Sequence, residues 1–187
     1  MKGKNLQKKK RWIIGFLLMI FITISGFSCS SQQWKKIKVK EGNFSILFPG
    51  KPTRRIENIS TAAGNIKGYI YTYSDESDES DKKTTFLIMY SDFPEELMRT
   101  ANAERVLEST VNGQIGSLKG RMISSKKIYL NDTYPGIEVE YKSNRITFLT
   151  RVYLKENRLF QILAGSSNIT KDRNDIKKFL TSFKIIE

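Results

Sequence analysis

A chain that performs acid–base, nucleophilic or metal chemistry must carry side chains suited to it. This one carries few. It has a single cysteine, Cys29, and no histidine. It therefore lacks the side chain that titrates near neutrality and the commonest metal ligand. One thiol can form neither an intramolecular disulfide nor a cysteine-rich zinc site. Serine hydrolases with a histidine base, thiol proteases with a Cys-His pair and histidine-ligated metalloenzymes are excluded by inventory. Carboxylates and the lone thiol remain.

The carboxylates gather in three places. "SDESDESD" runs from Ser74 to Asp81. Its Asp75, Asp78 and Asp81, with Glu76 and Glu79 between, are candidate ligands for Ca²⁺, a hard cation that takes six to eight oxygens, roughly. The D-x-D-x-D-G alternation of an EF-hand loop is absent, so a solvated hairpin tip is the first reading. Glu95 and Glu96 follow Pro94, where acids at the start of a short helix serve its dipole. Glu138 and Glu140 stand two apart on one strand face, within reach of Lys or Arg across a sheet. As a glycosidase-like pair they would need a cleft and a separation of about 5–9.5 Å. No other metal site and no cofactor is expected.

Cys29 closes a segment with a definite order. Lys2, Lys4, Lys8, Lys9, Lys10 and Arg11 come first, and no acid precedes Glu41. Trp12 to Ile24 follows, thirteen residues without a charge. Ser25-Gly26-Phe27-Ser28-Cys29 is small and polar, and Ser30 to Gln33 is polar. Positive, apolar over roughly 7–15 residues, then small is the order of an export signal. A spanning helix needs about 20 apolar residues; Trp12 to Cys29 reaches eighteen. The lysines keep the amino end cytoplasmic, so residues 30–187 are expected outside the cytoplasm.

These residues resemble bacterial lipoprotein leaders, which end in a lipobox of Leu, a small residue, Gly or Ala, and an acylated Cys. Ser28 suits the position before the cysteine, while Gly26 and Phe27 depart from the usual residues. The resemblance implies residues 1–28 as signal peptide, Cys29 as the lipidated (palmitate-type) residue and 29–33 as tether. Membrane anchorage through lipid is then expected. An uncleaved anchor and soluble secretion are the alternatives.

Of the +13 net charge, six positive residues precede residue 12. The remaining excess of seven is modest. Lys35, Lys36, Lys38 and Lys40 lie near the tether, as a solvated strand face or as contacts to anionic headgroups. Arg54 with Arg55 and Lys126 with Lys127 are ordinary basic pairs. No nucleic-acid-binding motif is present, and no nucleic-acid partner is expected.

Residues 34–187 must position these groups, and the pattern predicts one α+β domain. Short β-runs are expected over Trp34–Val39 and Phe44–Phe48. A hairpin turning near Ala63-Gly64-Asn65 carries Tyr69, Tyr71 and Tyr73 on one face, as packing or as a ligand platform. Thr84–Ser91 reads as a central strand. Leu107, Val111, Ile115 and Leu118 form a helical stripe behind an Asn102 cap. Met122–Leu130, Ile137–Lys142, Ile146–Leu154 and Leu159–Ala164 read as a meander with turns at Tyr134-Pro135-Gly136, Ser143-Asn144 and Glu156-Asn157. A last helix, Lys171–Ser182, buries Ile176, Phe179, Leu180 and Phe183. The fold class expected is a mainly antiparallel sheet flanked by two helices.

"NFSILFPGKP", "TYPGIEVEY", "RVYLKENRLFQILAG" and "IKKFLTSFKI" resemble, in order, elements of the PsbP-like fold over residues 40–186. The resemblance implies an α/β/α sandwich. It also implies a mostly exported, non-catalytic role assisting assemblies at a membrane, and supplies no functional residues. A binding or assembly module touching a membrane-associated protein is the first expectation. A small-ligand carrier with a pocket between sheet and helix is the second, and a carboxylate hydrolase the third.

Overall fold

The computed structural model describes residues 33–61, 64–74 and 84–186. Cys29, the leader, and Asp75, Asp78 and Asp81 lie outside them.

Seven strands make one antiparallel sheet: β3 (Thr53–Thr61), β4 (Gly64–Ser74), β5 (Thr84–Asp92), β6 (Arg121–Leu130), β7 (Tyr134–Ser143), β8 (Ile146–Lys155) and β9 (Arg158–Ser166). Their order is β3-β4-β5-β9-β8-β7-β6. β1 (Lys35–Val39), β2 (Phe44–Phe48) and β10 (Lys184–Ile185) form a separate three-stranded sheet with β2 in the middle. The closing Lys184–Ile185 thus joins this second sheet and not the large one. The helices among the described residues are α1 (Glu95–Thr100), α2 (Ala103–Ser117) and α3 (Ile169–Thr181).

Strand alternation puts apolar side chains on both faces of the large sheet. On one face Phe86, Ile88, Tyr90, Phe160, Ile162 and Ala164 pack against Phe44, Ile46 and Phe48 of β2 and against Ile176, Phe179 and Leu180 of α3. On the other face Val139, Tyr141, Val152, Leu154, Leu159 and Leu163 pack against Leu107, Val111 and Ile115 of α2. The layers follow from this: α2, the large sheet, then α3 with the small sheet.

Among the described residues three helices flank the sheet, not two. The addition is α1, "EELMRT", with Glu95 and Glu96 in its first turn, Arg99 in its last and no buried residue. Six residues make under two turns, too few for an apolar stripe to repeat, so periodicity could not reveal it. The backbone turns extended at Ala101 and restarts at Asn102, whose side chain accepts the Arg105 N–H at 3.1 Å. Asn102→Ala should therefore lower stability by about 1 kcal/mol in urea unfolding. Asn102→Asp should cost much less.

Two further expectations need correction. The turn before β7 is Asn131–Thr133, with Asn131 and Asp132 at φ 52° and 55°, a left-handed pair suited to a tight hairpin. Pro135 lies inside β7, before pairing with β8 begins at Gly136, so its missing N–H breaks no bond on that side. Leu118 is the C-cap of α2, 40% exposed, and does not extend the buried stripe.

Candidate binding surface

The tyrosine ladder packs. Tyr69 stacks on Tyr90 at 4.7 Å between centroids, Tyr71 meets Phe44 edge-on at 6.1 Å, and Tyr73 lies beside Phe86 at 6.4 Å. All three are half-buried against the core on the β2 side. They form no open platform.

The carboxylate candidates separate into spent and isolated groups. Glu95 and Glu96 are exposed. Glu138 holds two cations: Arg151 Nε donates to its Oε2 at 2.6 Å, and Lys126 Nζ sits 2.8 Å from its Oε1. Burial works to raise its pKa. Hydrogen bonds from Lys126 and Arg151, with their charges, outweigh that and hold it below the ordinary 4.5. Glu140, two residues along the same face, is paired in register with Leu149 and Ser124. Among the described residues no three of His, Cys, Asp and Glu gather to hold a metal.

A second ion pair had no signal in the sequence, because its partners are distant in the chain. Arg158 at the β8–β9 turn grips Asp92 with Nε to Oδ1 at 2.5 Å and Nη2 to Oδ2 at 2.8 Å. Its guanidinium also lies 5.3 Å from the Tyr90 ring centroid. Burial, then the neighbouring Tyr71 and Tyr69, pushes Tyr90 up to about 12. At neutral pH this group is a neutral phenol and serves packing.

Two shallow clefts open to solvent. One, of about 450 Å³ including open space, lies between the first turns of α2 and the β6–β7 hairpin, lined by Leu107, Ile128, Tyr129, Pro135 and Ile137. Glu104 and Lys127 pair there at 2.5 Å. The other, about 440 Å³, is polar, with Asn43, Lys155, Glu156 and Arg158. Neither is an enclosed chamber between sheet and helix of the kind a small-ligand carrier would use.

One open apolar feature is an edge strand. β6 ends the large sheet, so among the described residues one side of its backbone has no neighbouring strand. Its Met122, Ile123 and Tyr129 are 42%, 50% and 63% exposed. A register shift falls between Met122 and Ser124, a bulge of the sort that interrupts free edges. No helix among the described residues is long and apolar enough to cross a membrane.

No family model and no curated protein matches the chain. Its fold is similar to the solution structure of cyanobacterial PsbP (CyanoP) from Synechocystis sp. PCC 6803. The TM-score is 0.53 at 12% identity, covering 82% of this chain and 93% of that one. A protein of unknown function, PA94 from Pseudomonas aeruginosa, described as a putative regulator, scores 0.46 at 8% identity over 78% of this chain and 92% of that chain. The fold of the described residues is thus similar to that of PsbP. At these identities the likeness concerns the fold alone.

Proposed function

We propose that this chain is an exported lipoprotein whose PsbP-like domain is a non-catalytic binding or assembly module on the outer side of a membrane. Acylated Cys29 is its anchor, and a membrane-associated protein its partner. The location rests on the leader: charge, thirteen apolar residues, small residues, then the lone thiol. One lipid chain binds a bilayer marginally and two or more hold it stably, so a multiply acylated cysteine needs no spanning helix. The binding role rests on one structural observation, the unpaired β6 edge with Met122, Ile123 and Tyr129 displayed on it. Such a surface suits protein contact better than turnover of a small molecule.

The test of anchorage is mass spectrometry of the mature protein beside a Cys29→Ser variant. The expected result is a diacyl or triacyl mass on an amino-terminal cysteine. The variant should lose that mass and leave the membrane fraction. Full-length, unacylated chain free in the cytosol would end the proposal. For the binding role, a photocrosslinker at Ile123 should capture a membrane-associated protein that one at Lys67 does not. Equal capture at both positions would remove β6 as the contact.

A further inference from the structure

The three-stranded sheet has an inner and an outer side. Phe44, Ile46 and Phe48 of β2 turn inward to the core, so alternation sets Ser45 and Leu47 on the opposite side of the strand, where Ser45 is buried and Leu47 half-buried between the neighbouring strands. In register, Lys38 of β1 flanks Ser45 on one side and Lys184 of β10 flanks it on the other, while Lys36 lies beside Leu47. Lysines from the beginning and the end of the domain therefore meet on one small face. All three are exposed, as is Lys40 at its rim. No acid occurs in β1, β2 or β10.

These cations are also uncommitted. The ion pairs among the described residues use Arg55, Lys126, Lys127, Arg151 and Arg158. None uses Lys36, Lys38 or Lys184. Position adds a second argument. Residues 1–32 enter the domain through β1, the strand that bears Lys36 and Lys38. An extended chain spans at most about 3.5 Å per residue, so Lys36 lies within about 25 Å of Cys29.

We infer that the Lys36–Lys38–Lys184 face docks on a bilayer surface bearing anionic phospholipid headgroups and so sets how the domain stands on its membrane. This rests on the proposed acylation of Cys29. A tether this short keeps β1 beside the headgroups, and opposite charge then holds the outer side of the small sheet against them. The α2-covered face of the large sheet points away from the bilayer. Its cleft beside the β6–β7 hairpin is left open to a partner.

The mature protein, purified from host membranes, is mixed with protein-free vesicles of phosphatidylcholine alone or with added phosphatidylglycerol. Co-flotation is measured, and each lysine is mapped by amine-reactive labelling and mass spectrometry. Association with neutral vesicles reads the anchor; the labelling difference between the two vesicle types reads the face. Lys36, Lys38 and Lys184 should label about five-fold more slowly on anionic vesicles, with Lys67 and Lys142 unchanged and the protection lost in high salt. Flotation on both vesicle types with equal labelling would overturn the face and leave the anchor. Flotation only on anionic vesicles with the three lysines protected would overturn the anchor and leave the face. Protection seen in native membranes but not in protein-free vesicles would overturn the proposal in favour of an acidic protein. As an independent arm, Lys36→Glu, Lys38→Glu and Lys184→Glu are combined in a Cys29→Ser chain. This triple change should abolish whatever sedimentation with anionic vesicles the Cys29→Ser chain shows. Undiminished sedimentation would overturn the proposal.

Discussion

Phe44→Ala is expected to lower stability by about 4 kcal/mol, within the range for removing a buried phenylalanine. Phe44 is fully buried and joins more aromatic neighbours than any other described residue. Its ring lies 6.1 Å from Tyr71, 5.7 Å from Tyr90, 6.0 Å from Phe160 and 5.8 Å from Phe183, centroid to centroid. Those partners come from β4, β5, β9 and the chain after α3. A cavity there cannot close by one side chain moving, since each wall belongs to a different element. The backbone is crowded as well: a Cβ at Gly42 would sit 2.7 Å from the Phe44 ring. Urea unfolding followed by Trp34 fluorescence should show a lower midpoint with an unchanged slope. Phe44→Leu should recover more than half of the loss. A Phe44→Ala cost below about 1.5 kcal/mol would mean that the two sheets are held together elsewhere.

The same residue shows what a sequence discloses. "FSILF" stood out as β-structure because it is a short, nearly all-apolar run closed by a proline–glycine pair, and β2 spans Phe44–Phe48. Ile176, Phe179, Leu180 and Phe183 were legible for a similar reason: their spacing repeats over two turns, and all four are buried. Local periodicity does not reveal which strands share a sheet. β10 and β2 pair across most of the domain's length, so neither the second sheet nor the meeting of Lys184 with Lys38 could be foreseen. Arg158 and Asp92 were hidden likewise. The start of a short helix was read at Glu95 and Glu96, but α1 was left out of the count of flanking helices because it buries no residue and so carries no repeating pattern. Tyr134-Pro135-Gly136 resembled a turn by composition, but the left-handed Asn131 and Asp132 made the turn earlier. Glu138 was largely legible: its face and a Lys or Arg across the sheet were predicted, but not that both neighbouring strands would each bring a cation to it.

That pairing carries the second large effect. Glu138→Gln should cost about 2 kcal/mol near neutral pH, the order for hydrogen bonds to charged groups. The Glu138 and Arg151 side chains are 12% and 22% exposed, whereas Lys126 is 64% exposed. Arg151 must therefore supply most of the coupling, since exposed pairs contribute little. Arg151 Nη1 also reaches the Leu180 carbonyl near the end of α3 at 3.5 Å, a long contact but on the favourable side of the helix dipole. Because hydrogen bonds hold the Glu138 pKa below its ordinary 4.5 in the folded state, folding favours the ionised form. Its contribution is complete above the unfolded value and is lost as pH falls through the folded one. The gap between wild type and Glu138→Gln should thus be constant from neutrality down to about pH 5 and close below that. A gap unchanged down to about pH 3 would show that the charge is not what matters. A double-mutant cycle then apportions the network: Glu138→Gln with Arg151→Met should couple strongly, and Glu138→Gln with Lys126→Met weakly. The reverse ranking would mean that Lys126, not the half-buried guanidinium, neutralises this carboxylate.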